Sequence, residues 1–76
     1  MHTINSLLNE GFKNLSQNSK KTSKIETEIL LSYILNKNLK YLILNHSNIL
    51  ENDQVNSFNK LLERRKLGEP IAYILK

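Results

Sequence analysis

Side chains able to perform acid–base, nucleophilic or metal chemistry are sparse in this sequence and poorly spaced for it. The two histidines, His2 and His46, lie far apart, and neither has a ligating partner three or four residues away on one helical face. Glu26 and Glu28 are two residues apart, so a helix points them to different faces and they are poor acid–base partners. No serine lies in a turn motif that presents a nucleophile. We therefore predict no catalytic residue and no metal site.

The sequence also lacks the usual means of binding a nucleotide-like cofactor. Its two glycines, Gly11 and Gly68, stand alone, so no G-x-G turn exists, and no alternation of strands and helices is available to carry one. Because the chain has no cysteine, it can form no disulfide and no thiolate metal site. We predict that this chain binds no cofactor by itself and is inactive as an enzyme.

A cationic helix end followed by a sharp corner dominates the C-terminal part of the sequence. Arg64, Arg65 and Lys66 lie in the last turns of an amphipathic helix, where cations suit the negative end of the helix dipole. Gly68 can take the left-handed conformation that stops a helix, and Pro70 forbids its continuation. The three cations are either helix-end charges or a patch that binds an acidic partner.

Beyond the corner, Pro70 suits the first position of a short terminal helix, with Glu69 as its N-cap. The predicted buried face of this helix is Ile71, Ile74 and Leu75. The three tyrosines, Tyr33, Tyr41 and Tyr73, are predicted to pack in the core with their hydroxyls at its rim. The alternative for Tyr73 is a contact with a following domain.

Hydrophobic periodicity predicts two helices in the first half of the chain. The first runs from Ile4 to Leu15 with Thr3 as its N-cap. The second begins at Ser23, because Ser23 and Glu26 match a capping box in which each side chain bonds the backbone of the other. Its predicted buried face is broad: Ile25, Ile29, Leu30, Leu31, Tyr33, Ile34 and Leu35.

Two more helices are predicted before the corner. A short apolar one covers residues 39–45, after an asparagine-rich break that begins at Asn36. The fourth is capped by Asn52 or Asp53 and ends at Gly68. Its predicted apolar stripe is Val55, Phe58, Leu61, Leu62 and Leu67. With the terminal helix, the prediction is an all-α, compact bundle of about five short helices in one domain, residues 1–76.

Three segments carry a resemblance to a known family. Residues 61–73 read Leu-Leu-x-Arg-Arg-x-x-Gly-Glu-Pro-Ile-Ala-Tyr, residues 24–35 form a Glu-rich helix with a Leu-Leu pair, and residues 40–44 read Lys-Tyr-Leu-Ile-Leu. In this order and spacing they resemble the N-terminal helical domain of the release factor glutamine methyltransferases, the PrmC/HemK family. The chain departs from that family at Asn36 and Lys76, where glycine is usual.

The resemblance implies a helical domain that precedes a Rossmann-like methyltransferase domain, with residues 69–76 beginning the linker. The whole enzyme would use S-adenosylmethionine to methylate the glutamine of the Gly-Gly-Gln motif in class I peptide chain release factors. The resemblance implies that this domain would bind and position the release factor. The catalytic Asn-Pro-Pro-Tyr motif of the family matches no position here, since Pro70 is the only proline. Candidate partner-binding residues are Arg64, Arg65, Lys66 and Tyr73; candidate structural residues are Ser23, Glu26, Gly68 and Pro70.

Two rival interpretations stay open: a folding unit with a structural role only, whose exposed apolar rim the next domain covers, and a nucleic-acid-binding module. The 76 residues carry 11 Lys and Arg against 7 Asp and Glu, a net charge of +4, and several of the lysines, including Lys20, precede Tyr41. A small basic helical module could bind nucleic acid. The sequence nevertheless disfavours nucleic acid as a partner, because neither long helix has a dense row of Arg, Asn and Gln for reading base edges. With no signal peptide and no apolar run of about 20 residues, we expect a cytoplasmic protein without a membrane partner.

Overall fold

Five α-helices form within residues 2–17 and 21–75, the residues that the computed structural model describes. In chain order they are α1 (Ile4–Ser16), α2 (Ser23–Leu35), α3 (Leu39–Leu44), α4 (Asn52–Lys66) and α5 (Ile71–Ile74). The predicted all-α bundle of about five short helices is confirmed. The predictions for Lys20, in the basic surface, and Lys76, at a turn, fall outside the described residues.

The start of α1 is held by a local cap and by the loop that follows α3. The N–H of Ser6 donates to Thr3 Oγ1 at 3.1 Å, and the N–H of Thr3 donates to Ser6 Oγ at 3.0 Å, so the predicted Thr3 cap is confirmed. The N–H groups of Ile4 and Asn5 donate to the carbonyls of Asn48 and His46. The α3–α4 loop thus provides partners for N–H groups that the first turn of a helix leaves open.

Helix α2 is the centre of the bundle and packs against α1, α3 and α4, while α5 packs against α4. Phe58 of α4 is completely buried between these helices. The buried hydrophobic core is Ile4, Leu7, Leu15, Leu30, Leu31, Leu42, Leu50, Val55, Phe58, Leu62 and Ile74. For α4 this confirms Val55, Phe58 and Leu62 as the inward stripe; the prediction for Leu67 is wrong, because its side chain is 79% exposed.

The close approach of α1 to α2 explains the glycine inside α1. Gly11 is buried, and a Cβ atom at this position would overlap Cγ2 of Thr27 and lie 3.3 Å from Cζ of Phe58. Glycine in a helix interior costs about 1 kcal/mol relative to alanine. At Gly11 that cost is offset by the close packing of Thr27 against the α1 backbone, which any side chain at position 11 would prevent.

Two residues in the left-handed conformation end the long helices α2 and α4. Gly68 has φ +104°, its N–H donates to the carbonyl of Arg65, and the next N–H, that of Glu69, donates to the carbonyl of Arg64. The predicted helix stop at Gly68 is therefore confirmed. Asn36 has φ 54° and ends α2 in the same way, since asparagine tolerates this conformation better than most residues. Asparagine at position 36, where the resembling family usually has glycine, therefore still forms the left-handed turn that ends α2.

The predicted capping box at the start of α2 is wrong. Ser23 is the first helical residue rather than the N-cap, which is Thr22, and Ser23 is buried. Its carbonyl accepts a hydrogen bond from Thr27 Oγ1 at 2.7 Å. The carboxylate of Glu26 is instead bound by the guanidinium of Arg65 on α4, a charge-assisted interaction that is stronger than a bond to a neutral N–H.

Two other N-caps lie one or two residues from their predicted positions. Helix α4 is capped by Glu51, not by Asn52 or Asp53, and the N–H of Glu51 donates to Gln54 Oε1 at 2.9 Å. Helix α5 is capped by Pro70, not by the residue before it. In α5 the predicted inward face is confirmed, with Ile74 buried and Ile71 and Leu75 packed against the core.

The predicted buried face of α2 is partly wrong, and this error matters most for function. Thr27, Leu30 and Leu31 are completely buried, and Ile34 and Leu35 are partly buried against the core, so the prediction is confirmed for Leu30, Leu31, Ile34 and Leu35. The side chains of Ile25, Ile29 and Tyr33 are 58%, 39% and 52% exposed. Because α2 has apolar residues on more than one side, its packing against Gly11 decides which of them face inward.

Candidate partner-binding surfaces

Two cationic side chains at the end of α4, Arg64 and Arg65, form ion pairs with carboxylates of the same chain. The guanidinium of Arg64 forms a bidentate pair with the carboxylate of Glu69, with a distance of 2.9 Å between Arg64 Nε and Glu69 Oε1. This hydrogen-bonded pair lowers the pKa of Glu69 and raises the pKa of Arg64. Both side chains are substantially exposed, so the pair contributes little to folding.

Arg65 makes the pair that joins two helices. Its Nε and Nη2 atoms donate to the two carboxylate oxygens of Glu26, each at 3.1 Å, and Nη1 donates to the carbonyl of Glu69 at 3.3 Å. The side chains of Arg65 and Glu26 are only 25% and 17% exposed. Glu26 thus makes a contact that spans 39 residues of sequence, in place of the predicted cap.

Arg65→Met is expected to lower the free energy of unfolding by about 1–2 kcal/mol, because it leaves the half-buried carboxylate of Glu26 without its cation. Arg64→Met, the same change one residue earlier, is the matched control and is expected to have the smaller effect, since its pair is exposed and screened by water. Urea unfolding followed by circular dichroism measures both values. Equal losses for the two variants would contradict a special role for the α2–α4 ion pair.

The other predicted partner-binding residues, Lys66 and Tyr73, lie before and after the corner at Gly68. Lys66 and Tyr73 are exposed, with Tyr73 61% exposed, and Tyr33 is also exposed. The prediction that Tyr33 and Tyr73 pack in the core is therefore wrong, whereas Tyr41 packs partly buried against it. Partner binding by Arg64, Arg65, Lys66 and Tyr73 stays a prediction, and the two arginines already bind carboxylates of this chain.

Sequence reasoning missed an apolar surface on α2 and α3. Six of the nine large hydrophobic side chains that are exposed among the described residues belong to these two helices: Ile25, Ile29, Tyr33, Leu39, Ile43 and Leu44. Four of them line one concave surface of about 600 Å³, which we name the α2–α3 groove: Ile25, Ile29, Tyr33 and Leu39. The polar residues of this groove are Glu28, Ser32, Asn36, Lys37 and Asn38.

A second, smaller cavity of about 310 Å³ extends this surface toward α1. It shares Glu28 and Leu39 with the α2–α3 groove, and its apolar lining includes Phe12 and Ile43. A signal for this surface was present in the sequence: the apolar residues of α2 cover more than one face. A helix that is apolar on several sides either is fully surrounded or presents an apolar face to a partner.

The described residues hold no group of three or more His, Asp or Glu side chains that could bind a metal ion. His2 lies near α1, with its Nδ1 atom 4.0 Å from a carboxylate oxygen of Glu10, and His46 lines the smaller cavity. Within the described part of the chain, no helix combines the length and apolar character needed to cross a bilayer.

Comparison with known proteins identifies the class to which this helical domain belongs. Residues 6–75 match the model of the PrmC N-terminal domain. The chain therefore belongs to the family of release factor glutamine methyltransferase N-terminal domains, as the three sequence segments indicated.

Named relatives support this assignment. The chain is 38% identical over 74 residues to a bifunctional methyltransferase of Rickettsia felis, covering 97% of this chain and 14% of the relative. It is 34% identical over 73 residues to a release factor glutamine methyltransferase of Aliivibrio fischeri, covering 96% of this chain and 26% of the relative. The chain thus spans about a quarter or less of these relatives. No solved structure gives a significant match.

Proposed function

We propose that this chain is the substrate-recognition domain of a methyltransferase that modifies class I peptide chain release factors in the cytoplasm. The observation that carries the proposal is the family match over residues 6–75, together with relatives whose names state that they act on release factor glutamine. In this interpretation residues 69–76 lead into a methyltransferase domain of the same protein.

The methyl transfer itself would be carried out by the methyltransferase domain. By the family resemblance, the enzyme transfers the methyl group of S-adenosylmethionine to the side-chain nitrogen of the glutamine in a Gly-Gly-Gln motif. The described residues do not fit a cofactor site: Gly11 is packed against Thr27 in the core, and Gly68 ends a helix rather than opening one. The cofactor therefore enters no step that this chain performs.

The contribution of this domain is positioning. A methyltransferase must hold the target amide close to the methyl donor, and binding remote surfaces of the substrate reduces the entropy that this alignment costs. A bundle with a buried core and an ion pair between α2 and α4 presents a fixed surface for that purpose. Such a surface holds the release factor while its glutamine reaches the catalytic domain.

Isothermal titration of the chain with a purified class I release factor tests the proposal. We expect saturable binding, and no methyl transfer when S-adenosylmethionine is added to the mixture. An unrelated acidic protein of similar size serves as the control partner. Binding that is equally strong to the control, or methyl transfer above background, would contradict the assignment.

Salt dependence separates this function from the nucleic-acid interpretation. Binding to RNA or DNA by a basic module weakens steeply with added salt because counterions are released. Docking to a protein through an apolar surface is expected to survive the same change better. A steep salt dependence with RNA, combined with no release factor binding, would favour the nucleic-acid module instead.

A further inference from the structure

We infer that the α2–α3 groove is the surface with which this domain binds the release factor, and that it takes an amphipathic segment bordered by acidic side chains. This inference rests on the proposed function and adds to it the face of the domain and the chemistry of the bound segment. It differs from the sequence-based prediction, which placed partner binding at the cationic end of α4.

The apolar part of the groove is long enough to receive a short helix or extended segment. Ile25, Ile29 and Tyr33 follow one another at intervals of four residues, so they form a stripe about 12 Å long on α2. Leu39, at the start of α3, closes the groove on one side. Helix-in-groove recognition uses surfaces of this kind, in which apolar anchors enter the groove and polar residues remain at its border.

The charges around the groove favour an acidic occupant. Lys37 lines the α2–α3 groove, Lys24 lines the adjoining cavity, and Lys40 is exposed one residue after Leu39. In the α2–α3 groove itself Lys37 is balanced by the carboxylate of Glu28, and the excess of positive charge comes from Lys24 in the adjoining cavity and from Lys40 beside Leu39.

The other carboxylate of α2 does not offset this positive charge at the groove. Glu26 is bound to Arg65 of α4 and is absent from the lining of both cavities. The groove and the adjoining cavity together therefore have an apolar floor with a net positive border, two lysines against one carboxylate, which is complementary to apolar side chains flanked by Asp or Glu.

Two other occupants fit the structure less well. A second copy of the chain would place the same positive border against itself, because a two-fold interface pairs identical surfaces. The described residues that the resemblance assigns to the linker, 69–75, line neither cavity: α5 packs against α4, whereas the groove is formed by α2 and α3. A separate acidic partner is the occupant that agrees with both charge and position.

The first test compares Ile29→Asp with Leu67→Asp in titrations of the chain with a class I release factor. Both residues are exposed and apolar, but Leu67 lines neither cavity. We expect Ile29→Asp to weaken binding about tenfold or more, because it places a charge at an apolar contact, and Leu67→Asp to bind like the original chain. Thermal unfolding of each variant shows whether it is folded.

A charge reversal tests the acidic character of the partner without changing the apolar floor. Lys37→Glu is expected to weaken binding about three- to tenfold and to reduce its salt dependence. Lys60→Glu, at an exposed position of α4 outside both cavities, is the matched control and is expected to have little effect. Because Lys37 is exposed, this variant remains informative even if Ile29→Asp fails to fold.

The outcomes distinguish the inference from the function on which it rests. If the unchanged chain does not bind the release factor, the proposed function fails and the inference fails with it. If the unchanged chain binds and both groove variants bind equally well, only the choice of surface is wrong. If sedimentation shows a dimer that Ile29→Asp dissociates, the groove joins two copies of the chain and the inference is overturned.

Discussion

Phe58→Ala is expected to lower the free energy of unfolding by about 3–5 kcal/mol, the usual cost of removing a buried aromatic side chain and leaving a cavity. Phe58 is completely buried in the core. A chain of 76 residues has a total stability of only about 4–11 kcal/mol. The substitution should therefore lower the melting temperature by about 12–40 °C, or unfold the chain outright. Thermal unfolding followed by circular dichroism measures the change.

Phe12→Ala is the matched control for this prediction. The same atoms are removed, but Phe12 is only partly buried and lines the smaller cavity beside the α2–α3 groove. We expect a loss of about 1–2 kcal/mol, because fewer contacts disappear and water can fill the space. Comparable losses at both positions would show that the core is not centred on Phe58.

Gly11→Ala is expected to destabilise the chain by up to about 2 kcal/mol, although alanine is the better helix former. The added methyl group would overlap Thr27 Cγ2, and overpacking of this kind costs about 1–3 kcal/mol. The gain in helix propensity, about 1 kcal/mol, offsets part of that cost. Urea unfolding measures the net effect, and Asn9→Ala on the exposed side of α1 is a control that should be neutral or slightly stabilising.

A double-mutant cycle identifies the cause of the Gly11 effect. Thr27→Ser removes the methyl group that a new side chain at position 11 would meet, and it keeps the hydroxyl that donates to the carbonyl of Ser23. In the Thr27→Ser background, Gly11→Ala should cost at least about 1 kcal/mol less than in the unchanged chain. Additive effects would mean that the strain arises elsewhere, for example against Phe58.

These contacts connect the core with the proposed binding surface. Gly11 brings α1 close to Thr27, and Thr27 lies on the side of α2 opposite to the exposed stripe that begins at Ile25. A side chain at position 11 that pushed α2 away would also move one wall of the α2–α3 groove. Release factor binding by the Gly11→Ala variant is therefore informative beside its stability, since both should change together.

The positions of the helices were largely determined by the sequence, because the signals that start and stop helices are local. Thr3 and Gly68 act where the sequence placed them, and the asparagines Asn36 and Asn38 end α2 and begin α3. Each of these residues bonds backbone within a few positions of itself. The errors in the caps of α4 and α5 are of one or two residues, the usual uncertainty of a local signal.

The prediction from local sequence was wrong where a residue distant in sequence binds the carboxylate that was expected to form a helix cap. Ser23 and Glu26 match a capping box, but the carboxylate of Glu26 binds Arg65, which is 39 residues away in sequence. A charged, half-buried donor outcompetes a neutral N–H group, and no pattern within a single helix shows that it will be present. Arg65 was accordingly interpreted from the sequence as a candidate partner-binding cation.

The family, the all-α class and the five helices were thus determined by the sequence itself, through motifs and through capping that acts over a few residues. Only the tertiary structure decided which side of α2 is buried. Apolar residues cover more than one side of that helix, so periodicity alone could not choose between them. The choice was made by the one place where α1 has no side chain, Gly11, which draws Thr27 inward and leaves the stripe of Ile25, Ile29 and Tyr33 exposed.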